Sequence, residues 1–118
     1  MLGTTDAPAQ THIVDGTDAT FMADVVEQSK SIPVIVDFWA PWCGPCKTLG
    51  PAIEAAVTKA GGRVKLVKID VDANQAICEK LRVSSMPTTM IFQEGEMKFR
   101  AAGVQTIGVL KAELDKLR

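Results

Sequence analysis

Two cysteines stand three positions apart in Trp42-Cys43-Gly44-Pro45-Cys46, and sulfur at that spacing can do redox chemistry. If the segment opens a helix, the two Cα atoms come within the roughly 4.4–6.8 Å that a disulfide needs. So short a ring saves little chain entropy, which makes the bridge a weak staple and a workable switch. The Cys43 sulfur would face the unpaired N–H groups and the positive dipole end of that helix, and both favour a thiolate. A thiolate there can attack a disulfide, and Cys46 can resolve the mixed disulfide that results. The same pair can also be half of a zinc site, which takes about four N or S ligands. Only Cys78 and His12 remain to complete one, without a second C-x-x-C or a paired histidine. The spacing argues against a metal.

Asp37 is the other residue out of place. It sits inside Val34-Ile35-Val36-Asp37-Phe38-Trp39, a run that reads as a strand buried on both faces. A carboxylate in such a strand is costly unless a partner or a function retains it. Burial should raise its pKa and leave it able to exchange a proton near neutral pH. The plainer alternative is an ion pair with Lys68. An apolar residue would serve the core better than that pair, which favours function. Cys78, beside Ile77, reads as a small core hydrophobe. Trp39 reads as packing under the cysteines, and His12 as an exposed residue at the first strand.

The elements that must position these residues alternate along the chain. His12-Ile13-Val14 is a short strand, and Thr17 or Asp18 can cap a helix over about Ala19 to Ser29. After the strand that holds Asp37, the turn Ala40-Pro41-Trp42 leads into a helix beginning near Cys43. Pro45 falls in its first turn, where a missing N–H costs nothing, whereas Pro51 falls inside and should kink it. Val64 to Asp70 is a strand, and Gln75 to Leu81 a short helix capped by Asn74. Thr88 to Gln93 and Glu96 to Ala101 form a hairpin about Glu94-Gly95, which should supply antiparallel strands at the sheet edge. Ile107, Leu110, Leu114 and Leu117 line a terminal helix. The order βαβαβαββα predicts an α/β fold with a central mixed five-stranded sheet and helices on both faces.

Composition removes most other classes. The chain has 118 residues, 47% of them hydrophobic and 23% charged, which suits one soluble domain. Residues 1–11 read as a flexible tail and 12–118 as the domain. Thirteen Lys and Arg against fourteen Asp and Glu leave a net charge of −1, so no basic field draws nucleic acid or an anionic membrane. No apolar run approaches the ~20 residues that span a bilayer. Three cysteines do not make a disulfide framework, and the first ten residues lack the basic and apolar regions of a secretory leader. These features point to a reducing compartment, the cytoplasm. No nucleotide-binding fingerprint appears, so no cofactor is expected and electrons must come from another protein.

The run Val36-Asp37-Phe38-Trp39-Ala40-Pro41-Trp42-Cys43-Gly44-Pro45-Cys46-Lys47 resembles the active-site signature of the thioredoxin family. The resemblance extends to Lys68 and Asp70, to Met86-Pro87-Thr88, to Gly95 and to Gly103, and covers about His12 to Leu117. It implies the thioredoxin fold and a thiol–disulfide oxidoreductase: a dithiol carrier that reduces protein disulfides and is re-reduced by a separate reductase. By the same resemblance Cys43 is the exposed nucleophile, Cys46 the buried resolving thiol, Asp37 its proton acceptor and Lys68 the residue that tunes Asp37. Gly44 and Pro45 match the reducing members. Pro87 matches a cis-proline opposite the cysteines, and Met86 the residue whose backbone pairs with an extended substrate segment. Trp42, Gly44, Gly95 and Gly103 match an apolar rim that docks disulfide-containing proteins, with the chain working as a monomer. The competing readings are a disulfide oxidase or isomerase, and a thioredoxin-like domain serving as a co-chaperone or binding module.

Overall fold

The computed structural model describes residues 12–104 and 107–116. The expected tail over residues 1–11 and the apolar position Leu117 lie outside the described residues. Five strands form one sheet in the spatial order β1-β3-β2-β4-β5. They are β1 (Ile13–Asp15), β2 (Val34–Trp39), β3 (Lys65–Asp70), β4 (Thr88–Gln93) and β5 (Glu96–Ala102). A short helical segment between β1 and β2, Met22–Glu27 followed by Gln28–Lys30, is α1, and the other helices are α2 (Gly44–Ala60), α3 (Gln75–Lys80) and α4 (Ile107–Asp115). β1, β3 and β2 run parallel, whereas β4 is antiparallel to β2 and β5 antiparallel to β4. The order and the mixed sheet are those expected. Only β5 is an edge in the hairpin, however. β4 lies inside the sheet because Met90, Ile91 and Phe92 are apolar on both faces and buried there.

Alternation along the strands sorts two cores. Val34, Val36 and Phe38 of β2 join Val67, Ile69, Met90 and Phe92 on the face covered by Phe21 and Val25 of the α1 region. Ile35 joins Leu66 and Ile91 on the other face, under Leu49, Ile53 and Val57 of α2 and Leu110 of α4. Side chains two apart on a strand share a face, so Asp37 points toward α2. Both faces carry helices.

α1 departs from the expected α-helix. It is a π-helical turn, Met22–Glu27, running into a 3₁₀ turn, Gln28–Lys30. Its buried positions, Phe21, Val25 and Ser29, fall four apart. Ser29 Oγ donates to Val26 O and accepts from Gly95 N, which ties α1 to the β4–β5 turn. The expected cap is not made: the N-cap is Phe21, without a side-chain cap hydrogen bond. The Thr17 and Thr20 hydroxyls instead close the turn before it, Thr17 Oγ1 accepting from Thr20 N at 3.2 Å and Thr20 Oγ1 from Thr17 N at 2.9 Å.

α3 is capped from a distance. Asn74 makes no side-chain cap; its amide donates to Asp70 O and its Oδ1 accepts from Asp18 N. Asp18 supplies the cap instead, its carboxylate accepting from Ile77 N at 2.8 Å and Ala76 N at 3.4 Å. Asp18→Ala should therefore lower stability by about 1 kcal/mol, the usual cost of a lost cap, although residue 18 lies outside any helix. Denaturant midpoints of the two proteins measure it; an unchanged midpoint would show that solvent satisfies α3.

Candidate active site

β2 delivers the chain to the site, and a tight turn starts α2. Cys43 N donates to Ala40 O at 3.0 Å. Cys43 is the N-cap of α2, extended at φ −91°, and its Sγ accepts from Cys46 N at 3.2 Å. A sulfur in that place receives the helix's unpaired donors. Pro45 lies in the first turn and leaves no backbone group unpaired. Pro51 is inside the helix, which continues through it to Ala60. Cys43 and Cys46 are joined as a disulfide with Cα atoms 5.4 Å apart. Both are covered in this bonded state, Cys43 4% and Cys46 6% exposed. Cys43 is thus not exposed as the resemblance implied: its sulfur is turned to Cys46, and the residue belongs to the apolar cluster that Met86 packs against.

Asp37 lies beneath α2. It is 1% exposed, and neither carboxylate oxygen has a hydrogen-bond partner among the described residues. A Cβ built on Gly50 would stand 3.9 Å from Asp37 Oδ2. Gly50 follows Cys46 by four residues and shares its helix face, so the buried acid and the buried sulfur look onto the same strip. Burial pushes the Asp37 carboxyl up to about 6 from 3.8; the Lys68 charge pulls it down, and the Glu54 charge adds to the rise. Thr89, its register partner on β4, also holds its hydroxyl buried without a partner among the described residues.

Lys68 does not pair with Asp37, although the two are register partners on adjacent strands. Its Nζ lies 2.7 Å from Glu54 Oε2 on α2 and 5.7 Å from the Trp39 ring centroid. Trp39 is half-buried against the core, as expected of packing. Trp42 is 67% exposed, its indole N–H donating to Asp72 Oδ2 at 3.0 Å and Oδ1 at 3.2 Å.

The cis Met86–Pro87 peptide leads into β4 at the cysteine end of β2. Gly103 N donates to Pro87 O at 2.8 Å, so the end of β5 meets the same corner. A model of the thioredoxin family matches residues 12–116. The chain belongs to the thioredoxin family. It is similar to "Thioredoxin 1" of Synechococcus elongatus, 41% identical over 85% of this chain and 92% of that one. It is also similar to "Thioredoxin" of Streptomyces clavuligerus, 48% identical over 69% of this chain and 73% of that one. A third relative, the "Bifunctional thioredoxin reductase/thioredoxin" of Mycobacterium leprae, is 38% identical over 93% of this chain, which spans 24% of its length. With the bonded C-x-x-C pair, these findings make the chain a thiol–disulfide oxidoreductase of the dithiol disulfide-reductase type.

The thioredoxin reading of the rim needs one correction. Trp42, Gly44, Met86, Pro87 and Gly103 lie at the cysteine end of the sheet, but Gly95 does not. β4 pairs Thr88 with Phe38 and Phe92 with Val34, so the turn after Gln93 lies at the opposite end, roughly 20 Å along the strand. Gly95 is there for its backbone, with φ +79° and its N–H on Ser29. Val104, 54% exposed next to Gly103, is an exposed apolar residue at the cysteine end that the sequence did not single out. Asp72 and Glu54 were missed too, since isolated acids on a loop and a helix read as solvated faces.

Two residues outside the site complete the comparison. Cys78 is a free buried thiol, its pKa raised mainly by burial and further by Asp18 and Asp70. His12 is half-buried rather than exposed, because a Cβ on Gly62 would meet its Nε2 at 2.9 Å.

Proposed function

We propose that the chain reduces disulfides in proteins with Cys43 as nucleophile, Cys46 as resolving thiol and Asp37 as proton acceptor. In the reduced form the Cys43 thiolate attacks one sulfur of a bound disulfide and expels the other as a thiolate. Asp37 takes the proton from Cys46, directly or relayed by solvent. The Cys46 thiolate then attacks Cys43 Sγ, the second substrate sulfur leaves, and the Cys43–Cys46 disulfide remains. Two electrons pass to the substrate, whose two thiolates take up protons from Asp37 and solvent. The observation that carries this reading is a bonded cysteine pair at a helix start above a buried, unpartnered carboxylate.

Substrate would dock as an extended segment along Met86, between Trp42, Gly44 and Pro87 on one side and Gly103 and Val104 on the other. A separate thioredoxin reductase supplies the electrons, a reading supported by the Mycobacterium leprae relative, whose name joins the two proteins. The reducing cytoplasm suits a chain whose third cysteine is a free thiol.

Equilibrating the cysteine pair with glutathione tests the direction of electron flow. A midpoint near the thioredoxin value of about −270 mV is expected; one near −120 mV would make the protein an oxidant instead.

A further inference from the structure

The Lys68–Glu54 salt bridge has no role in the exchange steps above, yet it stands beside the acid on which they depend. Asp37 and Lys68 are paired in register on neighbouring parallel strands, whose spacing is about 4.8 Å. Their side chains rise on the same sheet face. A lysine there is placed to neutralise the carboxylate, as the sequence suggested. It is drawn aside by Glu54, whose Oε2 lies 2.7 Å from its Nζ. Glu54 follows Cys46 and Gly50 at successive intervals of four along α2, so all three share the helix face that looks onto Asp37 and Lys68.

We propose that Glu54 is a positioning residue for the reaction: it holds the Lys68 ammonium in its own salt bridge and so leaves Asp37 unpaired and able to take the Cys46 proton. This rests on Asp37 being the proton acceptor. With Glu54 removed, Lys68 is free to turn to Asp37 and lock it in the charged form, a weaker base. With Lys68 removed, Asp37 loses the cation whose charge lowers its proton affinity. The charged groups that act on Asp37 are Lys68 from β3 and Glu54 from α2; the non-titrating Thr89 is its register partner on β4, and Cys46 of α2 is held in the disulfide. Trp39, two residues on along β2, carries no charge. As a structural contact the bridge counts for little, since Lys68 is 24% and Glu54 35% exposed and such pairs are screened.

The two partners of one bridge should therefore act in opposite directions, which loss of a structural contact cannot do. The test follows the Asp37 carboxyl carbon by ¹³C NMR across pH in the oxidised full chain, alongside the acid limb of the turnover profile. Glu54→Gln should move the Asp37 midpoint down by about one pH unit. Lys68→Met should move it up by a similar amount, and Glu54→Asp should stay near the parent. The turnover limb should follow the midpoint in each variant. Movement of both midpoints in one direction, or an unmoved midpoint in Glu54→Gln, would overturn the proposal. Failure of the underlying reading shows elsewhere: Asp37→Asn would then turn over at the parent rate.

Discussion

Cys46→Ser is expected to convert the protein into a trap that accumulates stable mixed disulfides with its substrates, while Cys43→Ser accumulates none. Both variants should fall to the uncatalysed rate of disulfide reduction, so the loss of turnover is complete and the difference between them lies in the covalent product. The asymmetry follows from where α2 puts the two sulfurs. Cys43 caps the helix, and its Sγ accepts the Cys46 N–H at 3.2 Å, a contact that favours the thiolate needed for attack. Cys46 lies one turn in, four residues before Gly50, whose Cβ position is 3.9 Å from Asp37 Oδ2, so the resolving thiol lies on the helix face toward the proposed proton acceptor. Non-reducing electrophoresis with a disulfide-bonded protein substrate reads the outcome directly. Equal trapping by the two variants would remove the assignment of roles.

The parts of this site that were legible in the sequence are those whose physics is local. The cysteine spacing needs only a helix start, and Pro45 with the preceding turn supplies one. β2 announces itself as an uninterrupted apolar run, and Asp37 stands out because that run has no other charge. The parts that were not legible depend on which residues meet across the fold. Glu54 looks like any solvated helix position until β3 brings Lys68 under it at 2.7 Å. Asp18 caps a helix 59 residues away, a partnership that no local pattern contains. Asp72 gains its meaning only when the Trp42 indole reaches it. Gly95 shows the opposite error. A glycine in a hairpin turn satisfies a backbone with φ +79° wherever the turn lies, and the register of β4 against β2 places this one at the far end from the cysteines.

Asp37→Asn should make the protein more stable at pH 8 and slower in turnover, an opposition that a purely structural acid would not show. The folded carboxyl has its pKa raised to about 6, against about 3.9 in an unfolded chain. A group raised on folding favours the fold most when it is protonated in both states, below the unfolded value. That contribution is lost as pH rises toward 6 and is fully gone above it. At pH 8 the gap costs the parent about 3 kcal/mol, a large share of the 5–15 kcal/mol typical of a whole domain. Asparagine carries no charge to desolvate, so the variant should recover most of that loss at pH 8 and little of it near pH 3. Any packing change that accompanies the substitution is nearly the same at both pH values, so the difference between them isolates the proton. Turnover should fall by roughly 10²-fold, the usual contribution of a positioned base, because Cys46 loses its proton acceptor. Urea denaturation at pH 3 and pH 8, with rates of protein-disulfide reduction at neutral pH, checks both halves on one variant. A variant that is less stable at pH 8 and fully active would identify Asp37 as an ion-pair partner and leave the resolving step without its base.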